Sequence, residues 1–243
     1  MTTIENSTPE AFVPRRFTII RHPRQAQTTL YLVRHGQTEG NAKHQFIGST
    51  DLPLDPLGER QARRVGDRFA SITLDTLIAS PLRRAQQTAG EIARTTGRDL
   101  VTHEGVTEID FGHLEGHTIE EVLAKHPDMS DVLAAVDETD IQWPGGESRS
   151  AFNRRVREAF MDIIARHEEQ SVAVVCHGGV IGSFVAQIEG GSPNDFARYS
   201  FQNCSVTHLV INAEETLIHL ANDYSHLDEV QTEPLRLNTR LMR

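Results

Sequence analysis

Short apolar runs alternate along the chain with segments in which apolar residues recur every three or four positions. Residues 30–33, 77–79 and 172–176 form runs of the first kind, which are typical of strands buried on both faces of a sheet. The helical spacing is carried by three groups: Ala62, Val65 and Phe69; Leu82, Ala85, Ala89 and Ile92; and Phe152, Val156, Phe160, Ile163 and Ile164. Strands that alternate with helices predict an α/β fold of three α/β/α layers around a mostly parallel central sheet.

Several residues mark the expected ends of the helices. Pro56 and Pro81 are typical of helix starts, Gly97 of a helix end, and Ser148 of a residue that caps the last long helix. Between these helices, residues 118–143 contain two short helical patterns separated by a proline. We expect this stretch to be a helical insertion that flanks the site.

The remaining segments define the domain boundaries. Residues 206–211 and 216–220 are predicted strands joined by a polar turn, and they could pair across a homodimer. Residues 1–28 are polar and proline-containing, so we expect an N-terminal extension that is loosely ordered. The domain proper is then 29–235, and 236–243 is a C-terminal tail.

Composition narrows the classes of partner. Lys and Arg number 24 against 34 Asp and Glu, for a net charge of −10, so the overall field repels nucleic acid and anionic lipid. Two cysteines are too few for a disulfide scaffold or a four-thiolate metal site. The sequence has no apolar run of membrane-spanning length and no signal-peptide core, which predicts a cytoplasmic protein without a membrane partner.

Two histidines follow predicted strands, and a glycine follows each of them. Arg34 and His35 come after the first strand, and His177 and Gly178 come after a later one. Because open α/β sheets bind ligands at the carboxyl ends of their strands, we expect both histidines to face one crevice. Glycine after the histidine lets an anion approach the backbone N–H groups.

Other segments supply an arginine and an acid. Residues 80–85 carry Arg83 and Arg84, either of which could reach a phosphate, and residues 104–115 carry four acids, of which Glu108 is our candidate. An imidazole can attack phosphorus, guanidinium groups suit the equatorial oxygens, and a carboxyl with a raised pKa can protonate the leaving alkoxide. This set of side chains favours phosphoryl chemistry.

These residues resemble the signature of the histidine phosphatase superfamily, which includes cofactor-dependent phosphoglycerate mutases and many phosphatases. The similarity covers most of residues 29–220, and its separated pieces occur in order. They are Leu32 to Gly36 with Thr38 and Asn41; Phe46 to Gly48; Asp51 to Leu54 with Gly58, Gln61 and Ala62; Ser80, Leu82, Arg84, Ala85, Thr88 and Ala89; Glu108, Phe111, Gly112, Glu115 and Gly116; Pro144 to Ser148; and Val175 with His177 to Gly179.

The resemblance implies a phosphoglycerate mutase-like fold and a role for each matching residue. His35 would become phosphorylated, with Glu108 as general acid and then base. Arg34, Arg84 and His177 would form the phosphate pocket, and the substrate contacts would include Asn41, Gly48 and Gly178. The resemblance further implies that neither a metal nor an organic cofactor is needed. Gln37 departs from the glutamate common in the family, and Cys176 replaces a small or aliphatic residue.

Hydrolysis is the favoured reaction. Only about 69 positions separate Glu108 from His177, and a single lysine, Lys125, lies between them. The phosphoglycerate mutases have a longer segment there, with basic groups that hold a carboxylated substrate. The sequence therefore predicts a metal-independent phosphatase acting on a small phosphorylated metabolite. A phosphoglycerate mutase-type phosphotransferase and a non-catalytic phosphate-binding protein are the alternatives.

Some residues suggest chemistry that their context does not favour. His113 and His117 stand four apart, but Gly116 between them opposes a helix, so we expect no metal there. Cys176 is interpreted as a small buried apolar residue. The arginines at 154, 155 and 157 are interpreted as a solvated helix face.

Overall fold

The computed structural model describes residues 27–127, 129–130, 140–192, 194–228 and 230. The predicted tail, nearly all of the predicted extension and the second helix of the predicted insertion lie outside these residues. Within them, no helix is long and apolar enough to cross a membrane.

Six strands form one mixed sheet. They are β1 (Thr28–Arg34), β2 (Thr76–Ala79), β3 (Leu100–Thr102), β4 (Ser171–Cys176), β5 (Val206–Ile211) and β6 (Thr216–Asp223). Their order is β3-β2-β4-β1-β5-β6. The pairs from β3 to β1 are parallel and the two pairs involving β5 are antiparallel, so the prediction of a mostly parallel sheet is confirmed.

The described helices alternate with these strands. They are α1 (Glu39–Ala42), α2 (Pro56–Phe69), α3 (Arg83–Thr96), α4 (Ile119–Lys125), α5 (Arg149–Arg166) and α6 (Gly178–Ile188). Short 3₁₀ turns cover Glu104–Val106, Gly112–Leu114, Asp195–Arg198 and Ser225–Leu227. The first helix of the predicted insertion is α4.

The central strands β1, β2 and β4 are covered on both faces of the sheet, and each face has its own apolar core. Successive side chains of a strand point to opposite faces, so Val174 of β4 packs with Phe160 of α5, whereas Val175 packs with Val65 of α2 and Ile92 of α3. Burial of each such side chain stabilises the fold by roughly 1.5–3 kcal/mol. The predicted three-layer α/β/α architecture is confirmed.

Most helix boundaries follow the local signals. Pro56 is the first residue of α2, Gly97 adopts a left-handed conformation with φ 68° after α3, and Ser148 caps α5 by accepting the Ala151 N–H. Pro81 lies two residues before the start of α3. The Ser80 hydroxyl accepts the Leu82 N–H in the intervening turn, which delays the helix.

The sheet differs from the sequence expectation at strand boundaries and by one additional strand. Strand β1 begins at Thr28, one residue inside the predicted extension, because Thr28 pairs with Ile211 and its hydroxyl accepts the Glu169 N–H. Strand β6 extends to Asp223. Strand β3 was not predicted, since two of its three residues are exposed and give no apolar run.

Candidate active site

The parallel pairing of β1 with β4 brings the two predicted histidines together. Arg34 pairs with Cys176 at the strand ends, so His35 and His177 follow at the same edge of the sheet. Their ring centroids are 5.1 Å apart, and both residues are buried. The two rings therefore lie side by side, although only His35 of the two lines the cleft described below.

His35 is held as a neutral imidazole. Its Nδ1 lies 2.7 Å from the Gly36 carbonyl oxygen, which can only accept, so Nδ1 carries the proton and Nε2 carries the lone pair. Burial, followed by the charges of Arg84 and Arg34, holds the pKa of His35 well below its usual range. A neutral ring with a free Nε2 is the form that attacks phosphorus.

The glycine after His35 has a packing role. A Cβ on Gly36 would lie 2.6 Å from the carbonyl oxygen of Gly58 in the first turn of α2, and the Gly36 N–H donates to the Thr88 hydroxyl. At Gly179 a Cβ would lie 2.4 Å from a Glu108 carboxylate oxygen, which belongs to a side chain and not to the backbone. Close packing against backbone is therefore a sufficient reason for the glycine at position 36.

Arg34 presents a cation to the crevice. Its Nη1 donates to the Phe201 carbonyl at 2.6 Å, while its Nε is buried without a protein hydrogen bond. Burial lowers the pKa of Arg34 to about 10, with Glu108 acting in the opposite direction. Arg34 is still charged at neutral pH, and its unpaired buried N–H is a donor that an anion would satisfy.

Arg84 is completely buried and is fixed at three nitrogens. Its Nη1 donates to the Thr50 carbonyl and its Nη2 to the Gly48 carbonyl, both at 2.7 Å, and its Nε donates to Nδ1 of His177 at 3.2 Å. A guanidinium has five N–H donors, so two remain. Arg84, and not the exposed Arg83, is the arginine in the site.

His177 and Gly48 act on Arg84 in this structure. Because Nδ1 of His177 accepts from Arg84, the proton of the neutral ring is on Nε2, which donates to the Ser80 hydroxyl at 2.8 Å. Burial, followed by the charge of Arg84, lowers the pKa of His177 well below its usual range. Direct contacts of His177 and Gly48 with substrate stay predictions.

The side-chain carboxylate of Glu108 lies against the N-terminus of α6. One of its carboxylate oxygens accepts the Gly179 N–H and the other accepts the Ile109 N–H, each at 3.0 Å. Burial raises the pKa of Glu108, and this effect outweighs the two backbone hydrogen bonds and the charges of Arg84 and Arg34. A buried carboxyl with a raised pKa can hold the proton that a leaving alkoxide needs.

The interpretation of Arg155 as part of a solvated helix face is wrong. Its guanidinium forms a two-bond ion pair with Glu147 and also donates to the carbonyls of Gly105, Thr107 and Glu108. Arg154 and Arg157 of the same helix are exposed, as predicted. Helical spacing alone could not distinguish Arg155, because its partners lie on a distant loop.

Glu115 anchors the segment that holds Arg84. Its two carboxylate oxygens accept the N–H and hydroxyl groups of Ser49 and Thr50. Burial raises the pKa of Glu115, but these hydrogen bonds from Thr50 and Ser49 offset it and lower the pKa overall. The carbonyls of Gly48 and Thr50 are thereby fixed as acceptors for Arg84.

Asn41 and Asn203 complete the site. The side-chain oxygen of Asn41 accepts the Thr38 N–H and hydroxyl, both at 3.1 Å, and the Asn203 amide at 3.3 Å. Asn203 also donates to the His35 carbonyl at 2.9 Å. The sequence predicts that the polar segment 201–203 contributes to specificity, without singling out Asn203.

These elements surround a cleft of about 260 Å³. Of the predicted site residues, Arg34, His35, Asn41, Glu108 and Gly178 line it. The rest of its wall consists of Gln45, Phe46, Ile47, Phe111, Gly179, Tyr199, Ser200 and Phe201.

In the part of the chain that the structure describes, no group of three or more His, Cys, Asp or Glu side chains is placed to hold a metal ion. His117 has Lys125 as a neighbour, with its Nε2 at 2.7 Å from the ammonium group. Cys176 is completely buried in the core, and burial raises the pKa of its thiol.

Comparison with known proteins agrees with this geometry. The chain is 32% identical over 212 residues to the probable phosphoglycerate mutase GpmB of Enterobacter sp. (strain 638), a match that covers 85% of this chain and 98% of the relative. Among solved structures, Bacillus stearothermophilus YhfR has a TM-score of 0.73 at 28% identity, covering 83% of this chain and 100% of the other.

A phosphoserine phosphatase from Entamoeba histolytica also superimposes, with a TM-score of 0.73 at 27% identity and coverage of 82% of this chain and 99% of the other. The family model for the histidine phosphatase superfamily (branch 1) matches residues 30–224, which include both histidines, both arginines and Glu108. The chain therefore belongs to the histidine phosphatase superfamily.

Proposed function

We propose that this protein is a metal-independent phosphatase that hydrolyses small phosphomonoesters through a phosphohistidine at His35. The observation that carries the proposal is the state of His35, a buried neutral imidazole whose Nδ1 is tied to the Gly36 carbonyl. Arg34 with its unpaired Nε and the buried carboxyl of Glu108 line the same cleft.

In the first step, Nε2 of His35 bonds to phosphorus as the bond from phosphorus to the ester oxygen breaks. Arg34 and the remaining donors of Arg84 stabilise the charge on the equatorial oxygens. Glu108 gives its proton to the departing alkoxide, which leaves as a neutral alcohol. The raised pKa of Glu108 keeps that proton available.

In the second step, the ionised Glu108 takes a proton from a water molecule, whose oxygen bonds to phosphorus as the bond from phosphorus to Nε2 breaks. Inorganic phosphate leaves, and both His35 and Glu108 return to their starting states. His177 and Asn203 keep Arg84 and the His35 backbone in place throughout.

Hydrolysis is favoured over phosphoryl transfer between positions of a phosphoglycerate. Lys125, the single lysine between Glu108 and His177, is exposed, has its ammonium group beside His117 and does not line the cleft. A carboxylated intermediate would therefore lack this cation as a partner. The mutase reaction is tested by assaying isomer formation from 3-phosphoglycerate alongside phosphate release.

The proposal is tested by trapping the phosphoenzyme. Protein mixed with a phosphate ester is quenched in alkaline denaturant, which preserves phosphohistidine, and is digested with trypsin. Cleavage after Arg34 and Lys43 gives a peptide that contains His35 as its sole histidine. We expect phosphate on this peptide and its loss in mild acid.

Two variants serve as controls for the trapping experiment. His35→Ala should show no phosphopeptide and should lose turnover by at least about 10⁴-fold, with an unchanged circular dichroism spectrum. His113→Ala, at an exposed histidine outside the cleft wall, should keep both signals. Turnover by His35→Ala at the wild-type rate would contradict the proposal.

The wider setting is proposed on the same basis. The substrate is a small phosphorylated metabolite in the cytoplasm, and the net charge of −10 disfavours nucleic acid and anionic membranes as partners. A homodimer that pairs the C-terminal strands remains a prediction, and sedimentation of the full chain tests it.

A further inference from the structure

The phosphate end of the cleft is the part formed by Arg34 and His35, and we call the rest of the wall its leaving-group end. The two ends differ in character. Phe46 and Phe111 line it with ring centroids 5.1 Å apart, and the buried Trp143 packs behind both of them. Tyr199 and Phe201 add two more rings from another segment. This end of the cleft presents mainly aromatic and aliphatic surface.

The polar groups at this end are uncharged or already engaged. Gln45 donates its amide to the Gly116 carbonyl at 2.6 Å. The Tyr199 hydroxyl donates to the Glu189 carboxylate, and burial followed by that hydrogen bond raises the pKa of Tyr199. The hydroxyl of Tyr199 is therefore already paired with a carboxylate.

The described part of the cleft lining offers no cation beyond those at the phosphate end. Among the described residues, Arg34 is the single Lys or Arg in its lining. Lys43 is paired with Glu39 and Arg198 with Asp195.

We propose that the substrates are phosphomonoesters whose alcohol is uncharged and bears an aromatic or apolar group, and that a carboxylate on the alcohol is selected against. This inference rests on the proposed phosphatase function and narrows it. A second anion would lose its hydration against Phe46, Phe111 and Phe201 without gaining a cation. A flat ring would instead bury apolar surface against them.

Two matched substrate pairs test the proposal. Benzyl phosphate and 4-carboxybenzyl phosphate share a ring and an alkyl-type leaving oxygen and differ by one carboxylate. Glycerol 3-phosphate and 3-phosphoglycerate repeat the comparison of charge without a ring. We expect kcat/KM to be at least about tenfold higher for the neutral member of each pair, and highest of all for benzyl phosphate.

A variant that adds a cation to the cleft makes the test specific to charge. Gln45→Arg should shift the ratio of kcat/KM for 4-carboxybenzyl over benzyl phosphate upward by at least about fivefold. The matched control is Glu168→Gln, which changes the net charge by the same amount. Glu168 is exposed in the turn before β4, at the opposite end of that strand from His177. This control should leave the ratio unchanged.

The outcomes separate this inference from the proposed function. Equal kcat/KM values within each pair, or an unshifted ratio in folded Gln45→Arg, overturn the inference while phosphate release from any of the four substrates upholds the phosphatase. Absence of both phosphate release and phosphohistidine with every ester overturns the phosphatase, and this inference with it.

Discussion

The two halves of the proposed catalytic site are held by different parts of the fold. His35 follows directly from β1, and its neighbour His177 follows from the adjacent strand β4. Ser80, which contacts His177, follows from β2, the next strand of the parallel sheet. Glu108 lies instead on irregular chain between the 3₁₀ turns Glu104–Val106 and Gly112–Leu114. The sheet itself positions the nucleophile, whereas side chains from distant segments must position the acid.

The hydrogen bonds reflect this difference. The carbonyl that orients His35 belongs to the next residue, Gly36. The carbonyls of the acid loop are held by Arg155 of α5, which is 47 residues beyond Glu108. We therefore expect damage to the acid half to impair protonation of the leaving group without impairing phosphate binding, and damage around Arg84 to impair phosphate binding.

The largest effect should come from Glu108→Gln, which replaces the carboxylic acid by an amide of the same shape. For an alkyl ester we expect kcat to fall by about 10²- to 10⁴-fold. For p-nitrophenyl phosphate, whose leaving group needs no proton, the first step should survive. Rapid mixing should then show a burst of nitrophenol equal to the enzyme concentration, because Glu108 is still needed to activate water. A steady-state rate equal to wild type with the alkyl ester would exclude Glu108 as the acid.

The pH profile distinguishes the two halves further. Burial raises the pKa of Glu108, so the acid form, and with it kcat/KM for alkyl esters, should be lost as pH rises through that raised pKa. Because the pKa of His35 is lowered, its neutral, nucleophilic form should be lost by protonation only at more acidic pH. Glu108→Gln should remove the alkaline limb and keep the acidic one. An alkaline limb that persists unchanged would assign it to another group.

Arg155→Met should produce the next largest effect. It removes the ion pair with Glu147 and the hydrogen bonds to the acid-loop carbonyls, so kcat for alkyl esters should fall by roughly 10- to 100-fold. Inhibition by inorganic phosphate should keep its Ki, because Arg34 and Arg84 are untouched. Arg154→Met, at the exposed neighbouring position, is the matched control. A weakened phosphate Ki in Arg155→Met would mean that the halves are not separate.

Glu115→Gln should have the opposite effect, because it should weaken phosphate binding and leave protonation of the leaving group unimpaired. The amide group of the variant would turn its own N–H donors toward the N–H donors of Ser49 or Thr50. The segment would then no longer be fixed, and its carbonyls would hold Arg84 less well. We expect the Ki of phosphate to rise about tenfold. Glu120→Gln, at an exposed site in α4, controls for the loss of charge. An unchanged Ki in the folded variant would show that Glu115 does not position Arg84.

The sequence predicted the nucleophile half better than the acid half, for a physical reason. A strand end followed by His35, Gly36 and Asn41 is a local pattern, and parallel strands bring such ends together. Arg155 acts on the acid loop through a contact 47 residues away, which no local pattern encodes. Gly36 was assigned to anion approach, whereas the backbone of Gly58 already excludes a side chain there.

The smallest effect concerns Gln37, the residue that departs from the family's glutamate. Its amide donates to the Asp55 carboxylate at 3.0 Å, and the same carboxylate caps α2 by accepting the Gly58 N–H at 2.7 Å. Gln37→Glu would place two carboxylates together in a position that is only 4% exposed. We expect a loss of about 1–2 kcal/mol in the free energy of unfolding at neutral pH.

The pH dependence of this loss follows from its cause. Like charge raises the pKa of the carboxylate pair in the folded state, so folding favours the protonated form and the loss is present above the raised pKa. It should shrink as pH falls through that pKa toward the value in the unfolded chain. Urea unfolding at neutral and acidic pH measures this, with Gln27→Glu at an exposed position as control. A loss independent of pH would point to altered packing around Gly58, and Asp55 would then not be the reason that an amide stands at position 37.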